Sequence, residues 1–488
     1  MASNNLAQEV PLLIEKPANV TTLDYLTYHE KPRQLHVLKF QHSPTNCLVK
    51  LHGLWYDLTE FQDRHPGGRE ALRLAAGRDA TIMFESHHVF SSDKLIKYYL
   101  DKYRLSPEES AHLLTLEEAC FEGVPERQEL LDPFDPLSTS KFGSDLKERV
   151  REYFQKLARK RGVTLVESTK ASPAKCRLMA SLAVMWAVSL VLLLRGNYSM
   201  LLIHPLFAWI FTAATFHDAL HFALSTNPTI NSVVGNLFPY LASPFGWYHQ
   251  HVIGHHPFTN IPNRDPDLLH GSESSNKAIA QYLPFDARLA LFFMTATSLG
   301  LGLQNELFLV LGVSRSYNGV VPRIPVSVVK LIRVAVLRVV FFLVSFGWPF
   351  VFLQGMNLGA RFAFSVVPHA VYSTLFMINS QVNHQSEATK SARSRDWFVH
   401  QVITAQNFGD SSVGGLAWWF HYIMSGGLCL QMEHHLFPTV NHCHLPAVAK
   451  IVKQVCYEHG VPYTRADGYG QALAEYYHQE KKESKKFE

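Results

Sequence analysis

Three short stretches of this 488-residue sequence carry histidines at spacings that suit a metal site. His217-Asp218-Ala219-Leu220-His221 places two imidazoles at i,i+4, on one face of a helix, where they can share an ion. WYHQHVIGHHPFTN at 247–260 holds His251, His255 and His256; 251 and 255 again share a face if the segment is helical. His249 offers an alternative start to this group. QMEHHLFP at 431–438 supplies His434 and His435, with Gln431 three residues before the doublet. His384, in NSQVNHQ, lies between the second and third groups. Eight histidines and a glutamine exceed what one ion of ordinary coordination number can use. Imidazole suits iron, zinc and copper alike, so ligand type alone does not choose the metal. One such pair alone would read as a polar cap; three groups together do not. His204, His270, His421, His442 and His444 keep the plain reading of ordinary polar residues.

A second kind of chemistry sits nearer the N-terminus. Residues 55–68 read WYDLTEFQDRHPGG, and GRDATIMFESHH follows at 77–88. Pro-Gly-Gly after His65 holds that residue on a tight turn, and a histidine some twenty residues on could face it across a flat cofactor. With WYDLTEF ahead and GRDAT behind, residues 33–106 resemble cytochrome b5. The resemblance implies haem b with His65 and His88 as axial ligands. In b5 domains fused to desaturases the pattern is closer to FESYH, which implies His88 in preference to His87. Two imidazoles on haem iron leave no open site, as an electron carrier requires.

The elements that position the histidine groups are apolar. Residues 178–194 contain no charge, and 198–216 follow after the connector Arg195-Gly196-Asn197. A second pair, 334–353 with Arg338 inside and 360–380 with Arg361 at its start, completes four expected membrane spans. The broken apolar stretches 230–248, 286–311 and 413–430 read as interfacial or partly embedded helices. Lys175 and Arg177 precede the first span, and Arg264, Lys277, Arg288, Arg315, Arg323 and Lys330 lie between the pairs. The basic residues therefore put both termini and the middle segment in the cytosol, on the side of every histidine group.

Composition closes off other classes. The chain is 47% hydrophobic, 12% aromatic and 18% charged, which excludes a disordered chain. A net charge of +4 gives no argument for nucleic acid as a partner. Six scattered cysteines without a CxxC pair argue against a zinc ribbon or a disulfide scaffold and suit a reducing compartment. The first residues lack the charged and apolar regions of a signal peptide.

HDALH, HVIGHH and QMEHH resemble the three histidine boxes of membrane fatty acid desaturases. The amino-terminal b5 segment and the Gln that opens the third box are similar to the front-end group, over residues 33–465. The resemblance implies a di-iron centre held by His217, His221, His251, His255, His256, His434 and His435, with His384 as an additional ligand and Gln431 ligating weakly, through water, or by positioning the doublet. Such a centre uses O2 and two electrons per turnover to remove two hydrogens from neighbouring methylenes. Electrons would come from NADH through a cytochrome b5 reductase and the fused haem, with 107–172 giving the tethered donor reach. Asp218 would orient the box imidazoles.

The expected architecture is an N-terminal tail (1–32), a small α+β haem domain (33–106), a connector (107–172), an all-α polytopic membrane desaturase domain (173–465) and a basic C-terminal tail (466–488). The run GHHPFTNIPNRDPD, with three residues inside HxxxHH, is similar to delta-5 enzymes acting on twenty-carbon polyunsaturated acyl chains, carried on CoA or on a phospholipid. Delta-8, delta-6, delta-4 and sphingoid-base desaturation are the alternatives within the class. A histidine-rich transporter would place ionisable ligands near the midplane of its spans. A pure haem carrier would leave the boxes unused. The terminal KKFE resembles a dilysine signal for the endoplasmic reticulum, through Lys485 and Lys486.

Overall fold

In the computed structural model, residues 42–237, 243–269, 283–297, 301–409 and 415–485 are described. The expected tail 1–32, the first residues of the b5 segment, His270 and Lys486 lie outside them.

Alternating apolar residues build the hairpin β1 (Leu48–Leu51) and β2 (Leu54–Asp57), which turns at His52 and Gly53, both at positive φ. Helices α1 (Gly68–Leu74), α2 (Thr81–His87) and α3 (Asp93–Tyr103) complete a small α+β unit. Its core is Cys47, Val49, Leu51, Tyr56, Leu58, Phe61, Leu72, Ala76 and Ala80.

The segment 107–172 is folded rather than a reach-giving connector. Its long helix α4 (Lys141–Arg161) starts on Ser140, whose hydroxyl accepts from Gly143 N, and stops at Gly162 with φ 65°. Phe142, Leu146, Val150, Phe154 and Ala158 recur every four residues and are buried. That stripe lies in one core with residues of the C-terminal helices, so the segment is structurally part of the larger domain.

Ser172 caps α5 (Pro173–Leu194) by accepting from Lys175 N, with Pro173 in the first helical position. After a short turn α6 (Met200–Leu220) runs back against it. Next come a π-helical turn at Tyr248–His255, then α7 (Val328–Phe352) and α8 (Leu358–Gln381), each with an N-cap side chain. Small helices α9 (Trp397–Ile403) and α10 (Gln431–Leu436) precede α11 (Leu445–His459) and α12 (Tyr469–Ser484). The expected C-terminal tail is thus largely α12, with Ala472 and Tyr476 buried.

Among the described residues three helices, not four, are long and apolar enough to cross a membrane: α5, α6 and α8. The expected third span lies within α7, which is not among them. It carries Lys330, Arg333 and Arg338, and buried Arg338 pairs with buried Glu306 at 3.2 Å. Large apolar side chains nevertheless stand exposed on α5 (Val184, Val188) and α7 (Leu343, Val344). α6 is the most buried of the three, and both α6 and α8 end beside the histidines.

Candidate metal centre and haem slot

His217 and His221 sit at the C-terminal end of α6, and His384 follows α8 by three residues. The π-helical turn brings His251, His255 and His256, and α10 brings Gln431, His434 and His435. All nine are buried. They form two groups. His217, His221, His251 and His434 each offer a ring nitrogen within 4.8 Å of the others, and His255, His384 and His435 do the same.

The turn between His251 and His256 explains the division. The second box was expected to put 251 and 255 on one face, as an α-helix would. The observed turn is wider, with His256 N donating to His251 O at 3.0 Å, five residues back. His256 Nε2 therefore comes 3.1 Å from His251 Nε2, in the first group, while His255 turns to His384 and His435. His256 also stacks on His435, centroids 4.2 Å apart, so it stands between the groups. Adjacent His434 and His435, about 100° apart on a helix, divide in the same way.

Several partners fix ring orientation. His255 Nδ1 donates to Asp265 at 3.0 Å, His384 Nδ1 to Thr404 O at 2.9 Å, and His435 Nδ1 to Gln401 Oε1 at 2.9 Å. Each leaves Nε2 facing the second group. Gln431 Nε2 lies 3.0 Å from His384 Nε2 and 3.2 Å from His435 Nε2, and Asn383 donates to its Oε1.

Burial, with repulsion from neighbouring rings, holds His221, His251, His256, His434 and His435 well below the usual imidazole range. They are neutral, the form that binds metal. Burial acts on His255 too, but the Asp265 and Asp267 carboxylates outweigh it and raise that ring to about 9. Both ring nitrogens of His221 and of His434 are buried without a hydrogen-bond partner among the described residues. Such orphaned atoms are costly, and metal bonds of about 2 Å would satisfy them. The donor set fits a pair of metal ions.

In the small domain, His65 and His88 face each other with ring centroids 6.1 Å apart. Two metal–nitrogen bonds of about 2 Å, each with the inner part of a ring, span about 6 Å. His65 Nδ1 is 3.3 Å from Gly68 O and His88 Nδ1 is 2.9 Å from Phe84 O, which leaves both Nε2 atoms for an iron between them. Burial keeps His65 at about 4 and also lowers His88. The slot fits a haem. His87 Nδ1 instead meets Ser86 Oγ at 3.0 Å.

Residues 174–466 match the fatty acid desaturase family model, and residues 34–107 match the cytochrome b5-like haem/steroid binding domain. The chain belongs to the fatty acid desaturase family. It is 29% identical to an acyl-lipid (8-3)-desaturase B of Dictyostelium discoideum, over 87% of this chain and 88% of that one. It is 28% identical to that organism's Delta(5) fatty acid desaturase A (89% and 90%) and to a chloroplastic acyl-lipid (7-3)-desaturase of Chlamydomonas reinhardtii (85% and 76%). This front-end desaturase is therefore an oxidoreductase with a fused b5 domain. The family implies iron and O2 at the histidine groups, haem in the b5 domain and a fatty acyl substrate.

Two residues of the desaturase site escaped the sequence reading. Asp265, in NRDPD, is the carboxylate partner of box histidine His255. Asp218 pairs with Lys175 at 3.2 Å, accepts from Asn441 at 2.9 Å and has Oδ1 3.4 Å from His442 Nδ1, in a cluster with His217. His442 was set aside as ordinary, yet its ring lies 5.0 Å from that of His217 and 5.1 Å from that of His434. Its sequence signal was proximity to the third box. His249 is spent elsewhere, donating to Phe245 O and accepting from Ile324 N.

A small cavity lies beside the groups. His217, His251, His255 and Gln431 line it, and Trp209, Phe216, Trp247, Phe376 and Leu428 give it an apolar wall.

Proposed function

We propose that this desaturase introduces a cis double bond at the delta-5 position of twenty-carbon polyunsaturated acyl chains. The supporting observation is the cavity lined by His217 and His251 of one group, His255 of the other and apolar side chains, which sets apolar surface beside the metal ligands. The three-residue spacing inside HVIGHH and the names of the (8-3) and Delta(5) relatives favour this position.

On this reading His217, His221, His251, His256 and His434 hold one iron, and His255, His384 and His435 hold the other, beside Gln431. Bound iron supplies, with O2, the oxidising power to take two hydrogens from adjacent methylenes. The chain's residues do the rest. Trp209, Phe216, Trp247, Phe376 and Leu428 exclude water from the slot and align the chain. Asp265, Thr404 and Gln401 hold imidazoles by their outer nitrogens, so the inner ones stay fixed. His65 and His88 would hold a haem, which would supply one-electron transfer, with NADH and a b5 reductase as the electron source.

Further parts of the reading concern placement. Residues 33–106 form the haem unit and 173–465 the catalytic one. The apolar faces of α5, α6, α7 and α8 meet lipid in the endoplasmic reticulum, with both termini cytosolic. The acyl group arrives on CoA or on a phospholipid.

Expression in yeast fed separate polyunsaturated acids, with product double bonds located by mass spectrometry, tests the position. New delta-5 products from twenty-carbon acids support it. Products at delta-4, delta-6 or delta-8, or in sphingoid bases, would replace it.

A further inference from the structure

The b5 unit is seated on a short hairpin of the larger domain. Strands β3 (Ser316–Tyr317) and β4 (Val321–Pro322) pair antiparallel, and Asn318 and Gly319, both at positive φ, turn the chain between them. Arg78 donates to Pro322 O at 2.6 Å and Arg73 to Pro325 O at 2.5 Å, so two guanidinium groups of the b5 unit grip carbonyls of the hairpin and its exit. Lys330, at the start of α7, pairs with Glu70 of α1 at 3.0 Å. Leu74, 2% exposed, belongs to the larger-domain core that holds Tyr317, Val321 and Ile324, and not to the core of its own unit. Gly68 lies so close to the larger domain that a Cβ on it would stand 2.7 Å from Pro228 Cβ.

The same hairpin backs the π-helical turn that carries the second box. Ile324 N donates to His249 Nε2 at 2.9 Å, and the Tyr317 hydroxyl donates to Gln250 Oε1 at 3.0 Å. Val321 closes on Gly254, where a Cβ would lie 2.8 Å from Val321 Cγ2. Asn318 Nδ2 donates to Pro266 O at 2.9 Å, between Asp265 and Asp267, the two carboxylates that face His255. The hairpin thus meets the box at His249, Gln250 and Gly254 and its carboxylate loop at Pro266, while the b5 unit holds it at Pro322 and Pro325.

We propose that the hairpin 316–326 couples the two domains: the b5 unit, by seating on it, sets the positions of the second-box rings. This rests on the reading of the histidine groups as an iron site. The b5 unit then has a task besides holding haem. Gripping Pro322, Pro325 and Lys330, it fixes the hairpin, and the hairpin fixes His251, His255 and His256 through their neighbours. Tyr317 and Ile324 are positioning residues, acting through Gln250 and His249. Because His251 and His256 meet in one histidine group and His255 lies in the other, loss of the seat reaches both.

The test uses the purified full-length protein with haem bound, read by hydrogen–deuterium exchange and by anaerobic titration with ferrous iron. Leu74→Lys puts a charge into the shared core and leaves the b5 unit's own core whole, so it should unseat the unit without altering its haem spectrum. Amides of the peptide containing Ile324 should then exchange several-fold faster, and both iron sites should bind several-fold more weakly. Glu70→Lys and Lys330→Glu should each move both readings the same way, and the two together should restore them. Tyr317→Phe cuts the hairpin from the box and leaves the seat, so it should weaken iron binding, with little added by Glu70→Lys. Unchanged exchange and iron affinity in Leu74→Lys and in both reversals would overturn the coupling. So would a loss that the charge swap leaves in place, or full additivity of Tyr317→Phe with Glu70→Lys. Wild-type protein that binds no iron would overturn the iron reading instead, while the exchange at Ile324 would still decide whether the seat holds the box.

Discussion

Asp265 accepts a hydrogen bond from His255 Nδ1 at 3.0 Å while both are buried. The carboxylate is itself held, accepting from Asn260 N at 2.7 Å and Asp267 N at 2.9 Å. The pair fixes the one box histidine that carries extra basicity, and fixes it toward the second group.

Replacing this carboxylate should therefore loosen one group and spare the other. Asp265→Asn keeps the shape but removes the charge that orients His255. Losing such an outer partner weakens metal binding by about 10–100-fold. Iron titration of the purified protein should show one of two sites weakened, with the haem spectrum unchanged. Two unaltered sites would mean that Asp265 does not support a ligand.

The haem slot gives a separate expectation. His65→Ala and His88→Ala should each abolish the low-spin haem spectrum of the full chain, because each removes one of the two facing rings. Iron content at the histidine boxes should remain. A low-spin spectrum surviving in His88→Ala would transfer the ligand role away from that residue.

Much of this site was legible because histidine spacing is local. HDALH, HVIGHH and QMEHH each place their rings within one or two turns, and HPGG marks its own tight turn. Which ring joins which group was not legible, because it depends on a π-helical turn that no i,i+4 rule anticipates. Asp265 was missed for a related reason: it lies ten positions after His255 and reaches it across a loop held by Asn260 at φ 57°. The segment 107–172 read as a connector because its apolar stripe is interrupted by charge, yet α4 alternates the two faces faithfully. Arg338 weakened the apolar run of α7 in sequence; its partner Glu306, 32 positions earlier, becomes visible only in the fold.

The π-helical turn itself can be tested at Gly254. A Cβ there would lie 2.7 Å from His249 O, 2.8 Å from Val321 Cγ2 and 2.9 Å from Pro266 Cδ. The nearest of these is backbone and cannot rotate away. Gly254→Ala should cost about 1–3 kcal/mol in stability and move three box histidines together. Iron analysis should show both groups depleted while haem remains. Full iron occupancy would mean that the turn absorbs the methyl without moving its rings.

Lys175 and Asp218 form a buried ion pair at the base of α5 and α6, with side chains 4% and 0% exposed. Removing one partner strands the other charge, at a cost of about 3–5 kcal/mol. Lys175→Met should thus lower the melting temperature in detergent clearly, and Lys175→Met with Asp218→Asn should recover part of the loss. Equal melting of the single and double variants would show that the pair is not coupled.

Trp209 lines the cavity from α6, on the side away from the end that carries His217. Eight residues separate it from His217, about 12 Å at 1.5 Å per residue, and both line the same cavity. Its indole nitrogen donates to Met424 O at 2.7 Å, and its ring lies 6.1 Å from that of Phe376, so it cannot swing aside freely. An acyl chain entering past the histidines would meet this ring with its methyl end. Trp209→Ala should lengthen the slot and raise the ratio of twenty-two-carbon to twenty-carbon products in cells fed both acids. A product ratio untouched by Trp209→Ala would place the end of the slot elsewhere.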